Sequence, residues 1–288
     1  MTTSPLATPT ATRELLERYG LATKHRLGQN LLVDGHVVER IMALAALEGA
    51  ERVVEVGPGI GTLTLALVQE AAAVLAIEAD DALEPVLESH AVRHGNLSYL
   101  MGDALRVEPE RMAAELGGAP DLLIANLPYN VAATLILQYF EQLPSLRAAV
   151  VMVQKEVADR IAAAPGTKAY GAYTVKLSLY GRVTGRFEVP PRCFMPAPHV
   201  DSAVVRIDRT VSAPALGASA LEPGELACVR AVVDAAFAQR RKTIRNSMGA
   251  NGYDKAALDA AFAACDIAPT ARAETLSTSD FIQLAAAL

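Results

Sequence analysis

The sequence predicts an α/β fold, a doubly wound and mostly parallel sheet followed by a small all-helical domain. Three observations predict it. Short apolar or β-branched runs alternate with helix-compatible segments from Arg52 to Val153. The first of these runs leads straight into the glycine-rich turn Gly57-Pro58-Gly59-Ile60-Gly61, and beyond Gly224 strand signals stop.

Taken in order, Gly35 to Leu47 reads as a helix and Arg52-Val53-Val54-Glu55-Val56 as a buried strand. Thr62 is a candidate N-cap for the helical segment after the turn. Strand, glycine-rich turn and helix form a layout that cradles nucleotides, with Gly57 and Gly59 as candidate contacts. The spacing is Gly-x-Gly-x-Gly and not the dinucleotide fingerprint, and Glu55 just before it would repel a pyrophosphate. A ligand with a cationic amino-acid tail and no phosphate tolerates that carboxylate, which points to S-adenosylmethionine over NAD.

The strand Ala73 to Ile77 ends in Glu78, about twenty residues past the turn, the spacing at which a second-strand acid meets ribose hydroxyls. The plainer alternative is a surface acid opening the next helix, with Asp80 and Asp81 as caps. A third strand, Leu97 to Met101, runs into Gly102-Asp103-Ala104, where Asp103 can accept a bond from the adenine amino group of the cofactor.

The fourth run, Leu122 to Ala125, ends in Asn126-Leu127-Pro128-Tyr129. This tetrad fits the methylation of an exocyclic amino group, whose nitrogen lone pair is delocalised into its ring and attacks poorly. The Asn126 side-chain oxygen and the Leu127 carbonyl, held rigid by Pro128, can accept hydrogen bonds from the NH2 and favour a pyramidal nitrogen in the transition state. Tyr129 offers a face for a planar base. Alone, the tetrad reads equally well as a strand-ending turn with a core tyrosine. Three earlier strands ending in polar groups at the same sheet edge favour the functional reading.

These motifs in this order resemble class I S-adenosylmethionine-dependent methyltransferases acting on adenine N6. Further stretches, Leu27-Gly28-Gln29-Asn30-Leu31-Leu32, Lys168-Ala169-Tyr170-Gly171, Phe194-Met195-Pro196-Ala197-Pro198-His199-Val200-Asp201-Ser202 and Gln239-Arg240-Arg241-Lys242-Thr243-Ile244-Arg245, narrow the resemblance. It is to the ribosomal RNA adenine N6,N6-dimethyltransferases, most closely their bacterial small-subunit, kasugamycin-sensitivity branch. The resemblance implies a Rossmann-like seven-stranded sheet with one antiparallel edge. It implies cofactor contacts at Asn30, Leu32, Gly57, Glu78, Asp103 and Asn126, and a target pocket of Asn126, Leu127, Pro128 and Tyr129 with Phe194 stacking opposite. The implied substrate is two adjacent adenosines in the 3′-terminal hairpin loop of small-subunit (16S) ribosomal RNA, within an assembling subunit. Leu31, Met195 and His199 depart from the usual pattern.

Composition sets bounds. The chain has 288 residues, 52% of them hydrophobic, and a net charge of −6, with three cysteines (Cys193, Cys228, Cys265) in no metal or disulfide pattern. No metal is expected. No apolar run reaches transmembrane length, and the Thr/Pro/Ala-rich start lacks signal-peptide character, so a cytoplasmic protein is expected. A monomer is expected as well. An acidic balance argues mildly against nucleic-acid binding, but cations cluster at Lys24, His25 and Arg26 and again at Arg240, Arg241, Lys242 and Arg245. With Arg241 and Arg245 expected on one helical face, the second cluster is the predicted RNA-binding patch.

The expected organisation is a disordered tail over 1–18, a catalytic domain over 19–209, a linker over 210–224 and a helical RNA-binding domain over 225–288. Two other functions stay open. One is a large-subunit ribosomal RNA methylase of the macrolide-resistance type, which usually reads Asn-Ile-Pro-Tyr. The other is a non-catalytic assembly or transcription factor on the same scaffold.

Overall fold

A computed structural model of the chain describes residues 2–22, 29–210 and 221–288. It divides into two compact units, Met1–Ala158 with Val183–Asp208 and Asp159–Arg182 with Arg209–Leu288. The segment 159–182, expected within the catalytic domain, groups with the helical unit because its Tyr170 and Val175 are buried in that unit's core.

In the first unit α1 (Pro9–Tyr19), β1 (Leu31–Leu32) and α2 (Gly35–Ala45) come first. An alternation follows, of β2 (Arg52–Val56), α3 (Thr64–Glu70), β3 (Ala73–Glu78), α4 (Glu84–Arg93), β4 (Leu97–Met101), α5 (Pro109–Leu116), β5 (Leu122–Asn126), α6 (Ala132–Gln142) and β6 (Ala148–Gln154). Beyond α7 (Lys155–Ile161) and α8 (Ala172–Ser178) come β7 (Gly181–Val189), β8 (Phe194–Met195) and β9 (Ser202–Arg209). Seven strands form one sheet in the order β4-β3-β2-β5-β6-β9-β7. Strands β2 to β6 run parallel to one another, and β9 runs antiparallel to β6. Val53, Val54, Leu123 and Ile124 are fully buried, as a parallel sheet covered on both faces requires, and this is why these strands read as largely apolar runs, interrupted in β2 by Glu55. The chain steps outward from β2 to β4 and returns at β5, which puts a topological switch point, the usual ligand crevice, between the ends of β2 and β5.

Several expectations are corrected. The N-terminal tail is not disordered over Pro9–Tyr19: Thr8 caps α1 at the Ala11 N–H, Pro9 opens its first turn, Gly20 closes it at a φ of 63°, and Thr12 and Leu15 are buried. Helix α2 ends at Ala45 and not Leu47, because Ala46 takes a left-handed φ of 50° and Arg206 supplies donors to the Leu44 and Ala45 carbonyls at 2.7 and 2.9 Å. Thr62 caps nothing, since α3 starts two residues later and its N-cap position, Leu63, makes no side-chain bond. The two-residue strands β1 and β8 pair antiparallel, Leu32 opposite Phe194, an interaction invisible to periodicity.

In the second unit α8 is joined by α9 (Pro223–Phe237), α10 (Ile244–Ala250), α11 (Lys255–Ala264) and α12 (Thr278–Ala287). Their shared core contains Val229, Val233, Ile244, Met248, Phe262 and Phe281, all nearly inaccessible. Of the expected linker, 211–220 lie outside the described residues. Helix α9 already starts within it at Pro223, with the Glu222 N–H donating to Glu225 at 2.7 Å. No helix among the described residues is long and apolar enough to cross a membrane.

Candidate active site

At the carboxyl edge of the sheet in the first unit lies a cavity of about 190 Å3, lined from β2 by Glu55 and the glycine-rich turn, from β3 by Glu78, from β4 by Asp103 and from β5 by Asn126 to Val131. Asn30, Leu31 and Leu32 close it from the β1 side. Four strand ends thus deliver four polar side chains to one cleft.

The acids differ in state. Glu55 is 1% exposed and accepts the Thr64 hydroxyl at 2.6 Å; burial, with Glu78 nearby, pushes its pKa up to about 8. Glu78 is also raised by burial, against the opposing pull of backbone N–H groups. Its Oε1 accepts from Ala79 and Asp80 at 2.9 Å each and its Oε2 from Gly59 at 3.1 Å. A carboxylate offers about four lone-pair sites, so one is left for a hydroxyl in the cleft. Asp103 is half exposed, with Oδ1 accepting from Leu105 N–H at 3.0 Å and Oδ2 3.5 Å from Arg106 Nε.

Asn126 donates from Nδ2 to the Asn30 carbonyl at 3.3 Å, which commits the donor end of the amide and leaves the acceptor Oδ1. Leu127 is buried and gives its N–H to Met152. The Pro128 carbonyl accepts from Val131 and Ala132 and so joins the tetrad to the start of α6. Tyr129 is partly buried, its hydroxyl 2.6 Å from Ser202 Oγ, and burial raises its pKa. Phe194 is not brought into the cleft lining: it is 4% exposed and packed in the core with Leu32 and Cys193, one strand pairing away from the cleft. Leu31, a departure from the family pattern, fills the space beside Gly59, 3.1 Å from where a β-carbon would stand.

The cleft fits S-adenosylmethionine on its own chemistry. Thr62 Oγ1 is buried in its wall without a hydrogen-bond partner, a polar atom that a bound ligand would satisfy. Leu31, Leu32, Ile77 and Leu105 add apolar surface for a purine. Thr62 is a residue that sequence reasoning placed wrongly, as a cap. Ser202, unnoticed as a partner of Tyr129, sat within a quoted motif.

In the second unit the basic cluster is not one helical face. Helix α9 ends at Phe237 and Thr243 caps α10, so Arg240 to Lys242 form an exposed turn while Arg245 lies in α10. Arg240 donates to the Lys168 carbonyl at 2.7 Å, and Arg245 is held by Asp259 in a two-pronged pair at 2.5 and 2.7 Å. Lys24, His25 and Arg26 lie outside the described residues. Among the described residues no group of three or more His, Cys, Asp or Glu could hold a metal ion.

Comparisons with known proteins agree with this architecture. Ribosomal RNA small subunit methyltransferase A of Nocardia farcinica is 42% identical over 287 residues, covering 96% of this chain and 94% of that protein. The protein of the same name from Leifsonia xyli is 43% identical over 286 residues, covering 96% and 97%. Among solved structures, a dimethyladenosine transferase from Plasmodium falciparum shares the fold, with a TM-score of 0.73 at 24% identity over 88% of this chain and 95% of that one. The 23S rRNA methyltransferase ErmE superposes with a TM-score of 0.66 at 25% identity, covering 90% and 99%. The cofactor is S-adenosylmethionine. Residues 20–288 match the family model described as ribosomal RNA adenine dimethylase, and with relatives above 40% identity along nearly its whole length the chain belongs to that family.

Proposed function

We propose that this chain transfers methyl groups to N6 of two adjacent adenosines in the 3′-terminal hairpin loop of small-subunit ribosomal RNA, giving N6,N6-dimethyladenosine during subunit biogenesis. The relatives at 42 and 43% identity carry the small-subunit name, whereas the large-subunit enzyme ErmE stands at 25%, and the tetrad reads Asn-Leu-Pro-Tyr. The observation that carries the reading is Asn126, whose amide is anchored at its donor end to Asn30 with its acceptor left for a base amino group.

When bound, S-adenosylmethionine supplies a sulfonium methyl with a good leaving group. Glu78 orients its ribose, Asp103 its adenine, and Asn30, Leu32, Gly57 and Gly59 its remaining contacts along the cleft. Asn126 Oδ1 and the Leu127 carbonyl, set by Pro128, accept from the adenine NH2 and stabilise the nitrogen as it becomes pyramidal. Tyr129 stacks on the base, its ring fixed through Ser202. The Tyr129 phenol is too weak an acid to act as a base at neutral pH, so the N6 proton leaves to water after each transfer. Proximity and a fixed polar pocket therefore provide the catalysis. A duplex would hide the base, so the target is an unpaired or extruded adenosine.

Arg240, Arg241 and Lys242 bind RNA phosphates, with Arg245 supporting them, and the enzyme acts as a cytoplasmic monomer on the assembling subunit. A non-catalytic scaffold role is disfavoured by the intact set Gly57, Glu78, Asp103 and Asn126. The test is incubation with labelled cofactor and undermethylated small subunits, followed by nucleoside analysis. Dimethyladenosine at two adjacent positions is expected; label in large-subunit RNA alone, or none, would refute the reading.

A further inference from the structure

Between Pro58 and Thr62 the glycine-rich turn has one side chain, Ile60, and that is buried with Leu31, Leu65, Leu83 and Val86, away from the cleft. Its shape is held through its backbone, within the turn by the Gly61 N–H donating to the Pro58 carbonyl at 2.9 Å and otherwise by groups outside it. Glu78 accepts the Gly59 N–H. From behind, the imidazole of His90 on α4, 5% exposed, has Nε2 3.0 Å from the Ile60 carbonyl. A carbonyl oxygen only accepts, so Nε2 carries the hydrogen and His90 is the donor. The same ring fills the space beside Gly61, where a β-carbon would lie 2.8 Å from His90 Cδ2 at a φ of +88°. Burial, with Arg93 and His94 adding to it, keeps the imidazole pKa below its ordinary value, so the ring is a neutral donor at neutral pH.

We propose that His90 is a positioning residue for cofactor binding: its Nε2–H to the Ile60 carbonyl and its ring against Gly61 set the path of the turn whose Gly57 and Gly59 line the cleft. It touches neither cofactor nor base. The inference rests on the S-adenosylmethionine reading of that cleft. A turn already held in its bound shape spends no binding energy on ordering, so loss of the clamp weakens the cofactor and not the chemical step.

The test is titration calorimetry with S-adenosylmethionine on the full chain, beside steady-state kinetics. His90→Phe keeps bulk and removes the donor, while His90→Gln places an N–H close to the lost Nε2. Cofactor affinity should fall about fivefold in His90→Phe, as for one net hydrogen bond, with the loss in KM for the cofactor and not in kcat. His90→Gln should recover most of it. Unchanged affinity in a folded His90→Phe, or equal losses in both variants, overturns the proposal. Should His90→Phe not fold, His90→Gln against the shorter His90→Asn decides. Tighter cofactor binding by Gln supports the clamp, and equal affinity overturns it. A wild-type chain that fails to bind S-adenosylmethionine removes the reading of the cleft, and this proposal with it.

Discussion

Pro128 stands 3.2 Å from the point that a β-carbon on Gly57 would occupy, so the glycine-rich turn after β2 and the tetrad after β5 meet with no room between them. The proposed cofactor cradle and target pocket are thereby one packed unit across the switch point of the sheet. Gly57 also holds a φ of 69°, which costs an L residue about 1–2 kcal/mol. Gly57→Ala should therefore weaken S-adenosylmethionine and slow methyl transfer together. Calorimetry and single-turnover rates on the same variant check this; loss of one without the other would separate the two sites.

Glu78 and Asp103 should differ although both line the cleft. Each alanine variant should weaken S-adenosylmethionine by about 1–3 kcal/mol, the range for bonds to charged groups, with RNA affinity little changed. Glu78→Ala also strands three backbone donors and should lower the melting temperature, whereas the half-exposed Asp103 strands one. Cofactor titration with thermal melts distinguishes the outcomes, and unchanged binding in both variants would remove the assignments.

Glu55 makes stability depend on pH. Its folded pKa, about 8, lies above the ordinary carboxylate value of 4.5, so its contribution is fully present below pH 4.5 and is lost as pH rises through 8. Glu78 is displaced in the same direction and adds to the trend. Glu55→Gln keeps an acceptor for Thr64 and has no proton to lose. Denaturant unfolding of the unliganded protein at pH 5, 7 and 9 should show the wild type losing stability relative to Glu55→Gln across that window. Parallel curves would mean that Glu55 is ionised throughout.

The proposed RNA patch divides by environment. Replacing Arg240, Arg241 and Lys242 with Gln should lower RNA affinity and flatten the log-affinity against log-salt slope by about 0.7 to 0.9 for each phosphate that is no longer neutralised. Arg245→Gln should change that slope less, because its guanidinium is already occupied by Asp259. Cofactor affinity should hold in all of them. An unaltered slope in the triple variant would make the turn an ordinary solvated surface.

Local pattern carried the parallel core: β3, β5 and β6 are buried on both faces and read as apolar runs, β2 as one interrupted by the buried Glu55, and Glu78 and Asn126 sit where their runs end. Non-local features did not show. The pairing of Leu32 with Phe194 involves two-residue strands far apart in the chain, too short for any period. Helix α1 hid behind a Thr/Pro/Ala composition that resembles a disordered tail, although Thr8-Pro9 is a cap followed by a first-turn proline. Arg241 and Arg245 have helical spacing, but Thr243 starts a new helix between them. His90 and Ser202 act only through partners 30 and 73 residues away, a relation that spacing cannot express.

Tyr129 should act on capture of the base: Tyr129→Ala should lose about 1–3 kcal/mol of stacking and keep cofactor affinity. Phe194→Ala should instead lower the melting temperature, because its ring packs in the core outside the cleft. Loss of cofactor binding in Tyr129→Ala would mean that its ring is structural.

Asn126 is the most direct test of the mechanism. Single-turnover methyl transfer to undermethylated small subunits, at saturating S-adenosylmethionine, should slow on the order of a hundredfold in Asn126→Ala, as for loss of one preorganised partner of the transition state. Near-normal formation of N6,N6-dimethyladenosine by that variant would contradict the mechanism.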